Sequence, residues 1–94
     1  MVIASLTLVF HLPACHFLKE KRSRLRGLKD KFGTTTNLAI SESTFHDQHQ
    51  QAEWQVIAIG NDRKRLSRQL QRIEEYCHQY IDGYVTRSEL EFLN

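Results

Sequence analysis

The residues with the clearest chemical potential in this 94-residue chain are its cations, because they are concentrated in two segments. Residues 19–31 contain seven Lys or Arg and two acids, and residues 63–72 contain five cations and no acid. The remainder carries one cation and nine acids, so the net charge of +2 conceals a two-sided distribution. Clustered cations of this kind favour binding to a polyanion such as a nucleic acid.

The spacing of these cations places them in stripes on two predicted helices. The first stripe repeats at i, i+3, i+7 and i+10, and the second at i, i+3 and i+7. Cations also occupy the first turn of each helix, where they oppose the helix macrodipole and can form an anion site with free backbone N–H groups. The residues that we predict to bind nucleic acid are Lys19, Lys21, Arg22, Arg26, Lys29, Arg63, Lys64, Arg65, Arg68 and Arg72.

Two other interpretations of the basic segments stay open. In the first, the cations form a solvated surface with intrahelical ion pairs, each contributing about 0.2–0.5 kcal/mol. In the second, they bind an acidic protein. Four acids in the helical segments cannot neutralise twelve cations, and this imbalance favours polyanion binding. The candidate pairs are Glu20–Arg24, Arg26–Asp30 and Arg72–Glu75.

Enzymatic chemistry has little support in the sequence. His46, Asp47 and His49 have plausible metal-ligand spacing, but they lie in a Gln-rich segment without cysteine. Cys15 and His16 suggest a thiolate pair, yet adjacent side chains in an extended segment point apart. An acylphosphatase-like activity would require a phosphate-binding loop, and residues 13–18 contain neither Gly nor Arg. We therefore predict a non-enzymatic protein without cofactor or bound metal.

The composition favours a globular cytoplasmic protein. With 40% hydrophobic and 26% charged residues, disorder is a poor interpretation. The longest apolar run is too short to span a bilayer, and no cation precedes it as a secretory signal would require. Two cysteines cannot form a disulfide framework. We predict one domain over residues 1–94, in the cytoplasm and without a membrane partner.

Hydrophobic periodicity predicts four strands and two helices. Val2–Leu12 alternates with period two and predicts a strand that Pro13 ends. The apolar positions of residues 18–32 repeat with helical spacing, and those of residues 66–77 do the same after the capping segment 60–62. Trp54–Ile59 is apolar except for Gln55 and predicts a central strand covered on both faces. The remaining strands are predicted near residues 38–45 and 84–93, and the predicted core includes Leu6, Leu8, Leu25, Leu28, Leu70 and Ile73.

This order predicts a ferredoxin-like βαββαβ fold of the α+β class, a four-stranded antiparallel sheet with two helices on one face. The outward positions of the first strand contain no aromatic residue, which disfavours base stacking on the sheet. They leave an apolar patch that predicts a homodimer or a larger homo-oligomer. The patch comprises Ile3, Ser5, Thr7 and Val9, with Ile57 and Ile59 as neighbours.

Short motifs near both helix starts link the chain to a known family. His11-Leu12-Pro13, followed by Leu18-Lys19-Glu20-Lys21-Arg22 and by Asn61-Asp62-Arg63 later in the chain, resembles the pattern of the YlxP-like family of small bacterial proteins of unknown function. The resemblance covers essentially the whole chain and implies a ferredoxin-like fold and no established enzyme activity. It also implies an RNA-related role, because genes of the family often adjoin those of translation initiation and ribosome maturation factors. Ala14 stands where the pattern has Gly, and Phe17 where it has a capping Ser.

Together these observations predict a non-enzymatic protein that binds RNA through its basic helical face. The resemblance makes ribosomal or pre-ribosomal RNA the expected partner. The alternative is a dimeric interaction module whose basic face binds an acidic protein.

Overall fold

The computed structural model describes all 94 residues, and its elements follow the order β-α-β-β-α-β. The sheet order is β2-β3-β1-β4, and every neighbouring pair is antiparallel. Both helices lie on one face of the sheet, so the predicted ferredoxin-like α+β fold is confirmed. The elements are β1 (Val2–His11), α1 (Leu18–Phe32), β2 (Leu38–Thr44), β3 (Gln51–Gly60), α2 (Arg63–Tyr80) and β4 (Tyr84–Phe92).

One hydrophobic core joins the sheet to both helices. Alternate residues of β1 point toward the helices, and Leu6, Leu8 and Phe10 are at most 1% exposed. They meet the apolar stripes of α1 and α2, including Leu28 and Leu70, which are fully buried. Each such side chain contributes about 1.5–3 kcal/mol through burial. All six of the core residues predicted from periodicity are buried.

β3 is a central strand, as predicted, but the helices cover only one of its faces. Ala52, Val56 and Ala58 are fully buried on the helical side. On the other side Ile59 is 39% exposed, and it pairs across the sheet with Ile3 of β1. The prediction of cover on both faces is therefore wrong for this chain alone, because both helices lie on the same side of the sheet.

The molecule is elongated, with extents of 42 × 20 × 20 Å and a radius of gyration of 13.1 Å. Arg24 of α1 lies beside Asp82, just after α2, with Nε 3.6 Å from Oδ2, whereas Phe32 at the end of α1 packs on Tyr76, earlier in α2. The two helices therefore run in opposite directions, and their N-termini lie at opposite ends of the helical layer. Neither helix combines the length and the apolar character that a membrane crossing requires.

Candidate nucleic-acid interface

The basic stripe of α1 borders a groove between this helix and the edge strand β2. Arg22, Arg26 and Lys29 are exposed and line the groove, whose volume is about 480 Å³. Their spacing of four and three residues keeps all three side chains on the flank of α1 that faces β2. The apolar residues that line the same groove are Leu25, Ile40 and Trp54.

The basic stripe of α2 lies on a different part of the helical layer. Arg65, Arg68 and Arg72 are exposed, whereas the opposite side of α2 supplies Leu70 and other core residues. Tyr76 separates the two stripes, because it fills the seam where α2 contacts α1. The helical side of the protein therefore presents two basic strips rather than one continuous patch.

Nine of the ten predicted cations are exposed, and none of these nine lies within 4.0 Å of an Asp or Glu carboxylate. Arg63 nevertheless has partners within the chain. Its guanidinium donates to the main-chain oxygen of Asn94 at 2.6 Å, and its Cζ atom lies 4.6 Å from the centroid of the Phe92 ring. The side chains of the other eight cations have neither an acidic partner nor a hydrogen-bond acceptor in the structure. They are Lys19, Arg22, Arg26, Lys29, Lys64, Arg65, Arg68 and Arg72.

Only one of the three predicted intrahelical ion pairs forms. Arg24 Nη2 lies 3.7 Å from Glu20 Oε1, and the same guanidinium donates to the carbonyl of Pro13 at 2.9 Å. Arg24 thus joins the start of α1 to the preceding loop. The pairs Arg26–Asp30 and Arg72–Glu75 do not come within 4.0 Å, so they leave both arginines free.

Lys21 is the predicted nucleic-acid ligand that the structure contradicts. It is only 3% exposed, and its Nζ donates to the carbonyl oxygens of Phe45 at 2.7 Å and Gln48 at 2.9 Å. Nζ also lies 2.9 Å from Glu42 Oε2. Because that oxygen accepts no hydrogen bond of good geometry, the contact is an ion pair without a hydrogen bond. A buried ammonium needs polar partners of this kind, and at 3% exposure Lys21 is not accessible to a phosphate.

The spacing of Lys21 in the sequence already carried a signal of its burial. Lys21, Leu25, Leu28 and Phe32 follow at i, i+4, i+7 and i+11, which is the spacing of one helix face. The lysine therefore extends the core stripe of α1 by one turn. Its acceptors come from the turn between β2 and β3, more than 20 residues away in sequence.

The two cysteines are buried and unpaired. Burial, followed by the neighbouring Glu20 carboxyl, raises the pKa of the Cys15 thiol, so the thiolate that a Cys15–His16 pair would need is disfavoured. The contact with Cys15 in turn lowers the pKa of Glu20. Burial and then Glu74 raise the pKa of Cys77 to about 12, and this residue lies in the core, as its helical spacing predicts.

The two histidines that suggested a metal site lie exposed in the turn between β2 and β3. His46 Nε2 is 3.2 Å from the carbonyl oxygen of Glu42, which anchors the ring to the end of β2. No group of three or more His, Cys, Asp or Glu side chains comes together anywhere in the structure as a metal site would require. The geometry supports a turn contact for His46 rather than metal ligation.

Comparison with known sequences places the chain in a family. The family described as "Protein of unknown function (DUF503)" matches residues 3–90, which is nearly the whole chain. The chain belongs to this family. Among proteins related to this DUF503 chain is "Uncharacterized protein YlxP" of Bacillus subtilis (strain 168), which is 28% identical over 74 residues, or 77% of this chain and 80% of that protein. The predicted resemblance to the YlxP-like family is confirmed.

Solved structures support the fold of the DUF503 chain. A structure titled "Structural Genomics, protein YJCS" superposes with a TM-score of 0.61 over 98% of this chain and 99% of that one, at 9% identity. At this identity the likeness extends to the fold alone. The SecDF periplasmic domain P4 reaches a TM-score of 0.48 over 97% of this chain and 88% of its own, at 15% identity, too low a score for any inference.

The two departures of this DUF503 chain from the family pattern occur in the loop before α1. Ala14 has a φ of 57°, the left-handed conformation that glycine adopts without steric cost. Phe17 is the N-cap residue of α1 and offers no side-chain hydrogen bond to the helix. The backbone therefore keeps a conformation suited to Gly and to a capping Ser, although neither residue is present.

Two aromatic side chains beside the cations of α2 are absent from the sequence-based prediction. Tyr76 and Tyr80 follow Arg72 at intervals of four residues, so all three share one flank of the helix. This spacing is visible in the sequence, but the prediction weighs base stacking only on the sheet, where the outward face of β1 has no aromatic residue. The seam between the helices in this DUF503 chain therefore combines aromatic rings with cations.

Proposed function

We propose that this protein binds RNA without enzymatic activity, through the free cations of its two helices. The observation that carries the proposal is the set of eight exposed lysines and arginines with no acidic partner and no acceptor. Cations of this kind are available to phosphates, and counterion release from the nucleic acid drives such binding.

The family supports an RNA of the translation apparatus as the partner. The position of YlxP-like genes beside those of translation initiation and ribosome maturation factors makes ribosomal or pre-ribosomal RNA our proposed target. Such a partner implies a cytoplasmic location. The two basic strips lie on opposite sides of the helical seam, so they suit separate phosphates of a folded or extended RNA rather than a single small anion.

The groove beside β2 favours a second candidate function, binding of an acidic protein by a dimeric module. Three α1 cations line the groove together with Leu25, Ile40 and Trp54, and they outnumber the two acids, Asp30 and Glu42, that also line it. An amphipathic segment with acidic side chains would match both the charged wall and the apolar floor of this groove. The uncovered apolar residues of β1 and β3 would then hold two copies together.

Charge reversal distinguishes these candidates. The two variants are Arg22→Glu with Arg26→Glu, and Arg68→Glu with Arg72→Glu, and Arg87→Glu on the sheet serves as the control. RNA affinity of both double variants should fall, and the log–log salt slope should decrease by roughly 0.7 for each phosphate of a single strand that the variant no longer binds. Circular dichroism melts should barely change, since exposed helix residues rarely alter stability by more than about 0.5 kcal/mol each.

Unchanged RNA affinity in both double variants would contradict the proposal and would leave the cations a solubilising surface. Tight binding to an acidic protein, with negligible affinity for RNA, would instead support the second candidate. Copurification from cells with and without RNase provides a first test between the two candidate functions. A partner held through RNA is lost after RNase treatment, whereas a directly bound protein partner is retained.

A further inference from the structure

An aromatic cluster lies in the seam between α1 and α2. The Phe32 and Tyr76 rings meet edge to face with centroids 5.3 Å apart. Tyr80 follows Tyr76 at a centroid distance of 5.0 Å and an interplanar angle of 36°. Phe32 and Tyr76 are half-buried, whereas 65% of the surface of Tyr80 is exposed. The cluster thus ends in the Tyr80 ring, which packs on Tyr76 on one side and is open to solvent elsewhere.

Gly27 makes room for this cluster. A Cβ atom at residue 27 would lie only 2.6 Å from the hydroxyl oxygen of Tyr76, closer than ordinary contact allows. The missing side chain of α1 therefore lets Tyr76 enter the seam and support Tyr80. Helix interiors disfavour glycine by about 1 kcal/mol relative to alanine, and here the close approach of Tyr76 provides a specific reason for it.

Cations border the aromatic cluster on both helices. Lys31 Nζ lies 5.7 Å from the centroid of Tyr76 and 6.0 Å from that of Phe32. Lys31 forms no ion pair with a carboxylate, so its ammonium is free for an anion. Arg72 lies one helical turn before Tyr76 and is also unpaired. A stackable ring and two phosphate-binding groups therefore occur within one short stretch of the seam.

We infer that the seam binds single-stranded RNA, with one base stacked on Tyr80 and adjacent phosphates bound by Lys31 and Arg72. This inference rests on the proposed RNA-binding function and specifies the class of RNA. Bases in a duplex are already stacked on one another, so an aromatic platform discriminates in favour of unpaired nucleotides. Stacking requires no particular base, because every base has a π-face.

Substitution of Tyr80 tests this inference, and Tyr84 provides a matched control because it is also 65% exposed. Binding is measured by fluorescence anisotropy with a labelled oligouridine of about twelve nucleotides and with an RNA duplex of equal length. Tyr80→Ala and Tyr80→Leu should weaken single-strand binding by roughly 5- to 150-fold. Tyr80→Phe should retain it, since the ring persists, and Tyr84→Ala should match the wild type.

Duplex binding and the salt slope provide the second readout. Tyr80 carries no charge, so its loss should leave duplex affinity and the salt slope unchanged, in contrast to the reversal of arginines. An equal loss for single strand and duplex, or unchanged single-strand affinity in Tyr80→Ala and Tyr80→Leu, would overturn the inference. If the Tyr80 variants gave one of these results but the arginine reversals still weakened RNA binding, the proposed RNA-binding function would stand without the stacking site. A wild-type protein that binds neither RNA would refute both.

Discussion

Two neighbouring cations, Lys21 and Arg22, occupy opposite environments although they are adjacent in sequence. The Lys21 ammonium is enclosed by two carbonyls and a carboxylate, whereas the Arg22 guanidinium is exposed beside the groove. Because α1 turns by about 100° per residue, adjacent residues cannot share a face. The first holds the fold together, and the second is available to a ligand.

Removing the ammonium of Lys21 should therefore destabilise the protein. Lys21→Met keeps the apolar stem but leaves the carbonyls of Phe45 and Gln48 without their donor and Glu42 without its cation. We expect a loss of about 2–4 kcal/mol in the free energy of unfolding, measured in urea. Arg22→Met is the matched control and should change it by no more than about 0.5 kcal/mol. Equal stability of the two variants would show that the buried contacts contribute nothing net.

Sequence reasoning reached the individual cations but not their partners. The charge segregation and the helical spacing place all ten predicted cations on the helices, and nine of them are exposed. Lys21 differs from the other nine because it lies on the stripe of Leu25 and Leu28, so the spacing that predicts their burial applies to the lysine as well. Its acceptors could not be predicted, since they belong to a turn whose contact with α1 is set by the packing of the whole chain.

At the scale of elements, the two helices begin in different ways. Asp62 caps α2 by accepting hydrogen bonds from the backbone N–H groups of Lys64 and Arg65, at 2.9 and 3.3 Å. α1 has no such cap, since Phe17 occupies the equivalent position. Its first turn is instead stabilised by Arg24 and by Glu20, whose carboxylate accepts a hydrogen bond from the His16 N–H at 3.2 Å.

A capping side chain should stabilise α1. Phe17 has φ −134° and ψ 145°, the extended conformation of an N-cap residue, and it is 70% exposed. Phe17→Ser should therefore place a hydroxyl within reach of free N–H groups while removing little packing. We expect Phe17→Ser to exceed Phe17→Ala in unfolding free energy by about 1 kcal/mol, measured by chemical denaturation. Equal stability of the two variants would mean that the first turn is already satisfied.

The apolar stripe of α2 carries the main contact between this helix and the sheet. Leu70 is fully buried within it, whereas the next residue, Gln71, is exposed. Leu70→Ala should destabilise the protein by about 2–5 kcal/mol, because it loses buried area and leaves a cavity. Gln71→Ala should cause a much smaller shift in the thermal midpoint. A comparable shift in both variants would contradict the placement of the stripe.

The elements themselves could be predicted because their signals are local. Alternation in β1 and the i, i+4, i+7 spacing of α2 are visible in short windows of sequence. The faces of β3 were harder, since its apolar residues serve two different surfaces. Val56 is buried in the core, but Ile59 on the other face is left uncovered by the helices. Periodicity cannot distinguish a strand between two layers from one whose second face is open.

At the scale of the whole molecule, the two sides of the sheet have opposite character. The helical side carries the free cations, and the open side combines apolar residues of β1 and β3 with polar and charged ones. Ile3 pairs with Ile59, Thr7 with Glu89 and Val9 with Glu53. Exposed apolar residues interspersed with polar and charged ones are typical of protein interfaces.

We expect the open side of the sheet to be covered by a second copy in solution. Light scattering at micromolar concentration should then give about twice the chain mass of 11.1 kDa, or a larger multiple. Replacing Ile3 and Ile59 together by Lys should reduce the mass to that of one chain, because buried unpaired charges are costly. Arg68→Gln, on the helical side, should leave the mass of the assembly unchanged. A wild-type mass near 11.1 kDa would show that a single chain tolerates the exposed patch.

The contacts of Lys21 also determine which parts of the protein open together. Hairpin tips usually exchange their amide hydrogens independently of the rest of a fold, through small local openings. Here the tip between β2 and β3 is held by an ammonium from a helix 24 residues earlier, through the carbonyl of Phe45. Movement of α1 away from the sheet removes that donor. We therefore expect the hairpin tip and the first helix to open as one cooperative unit, so that the order of the tip depends on a helix distant in sequence.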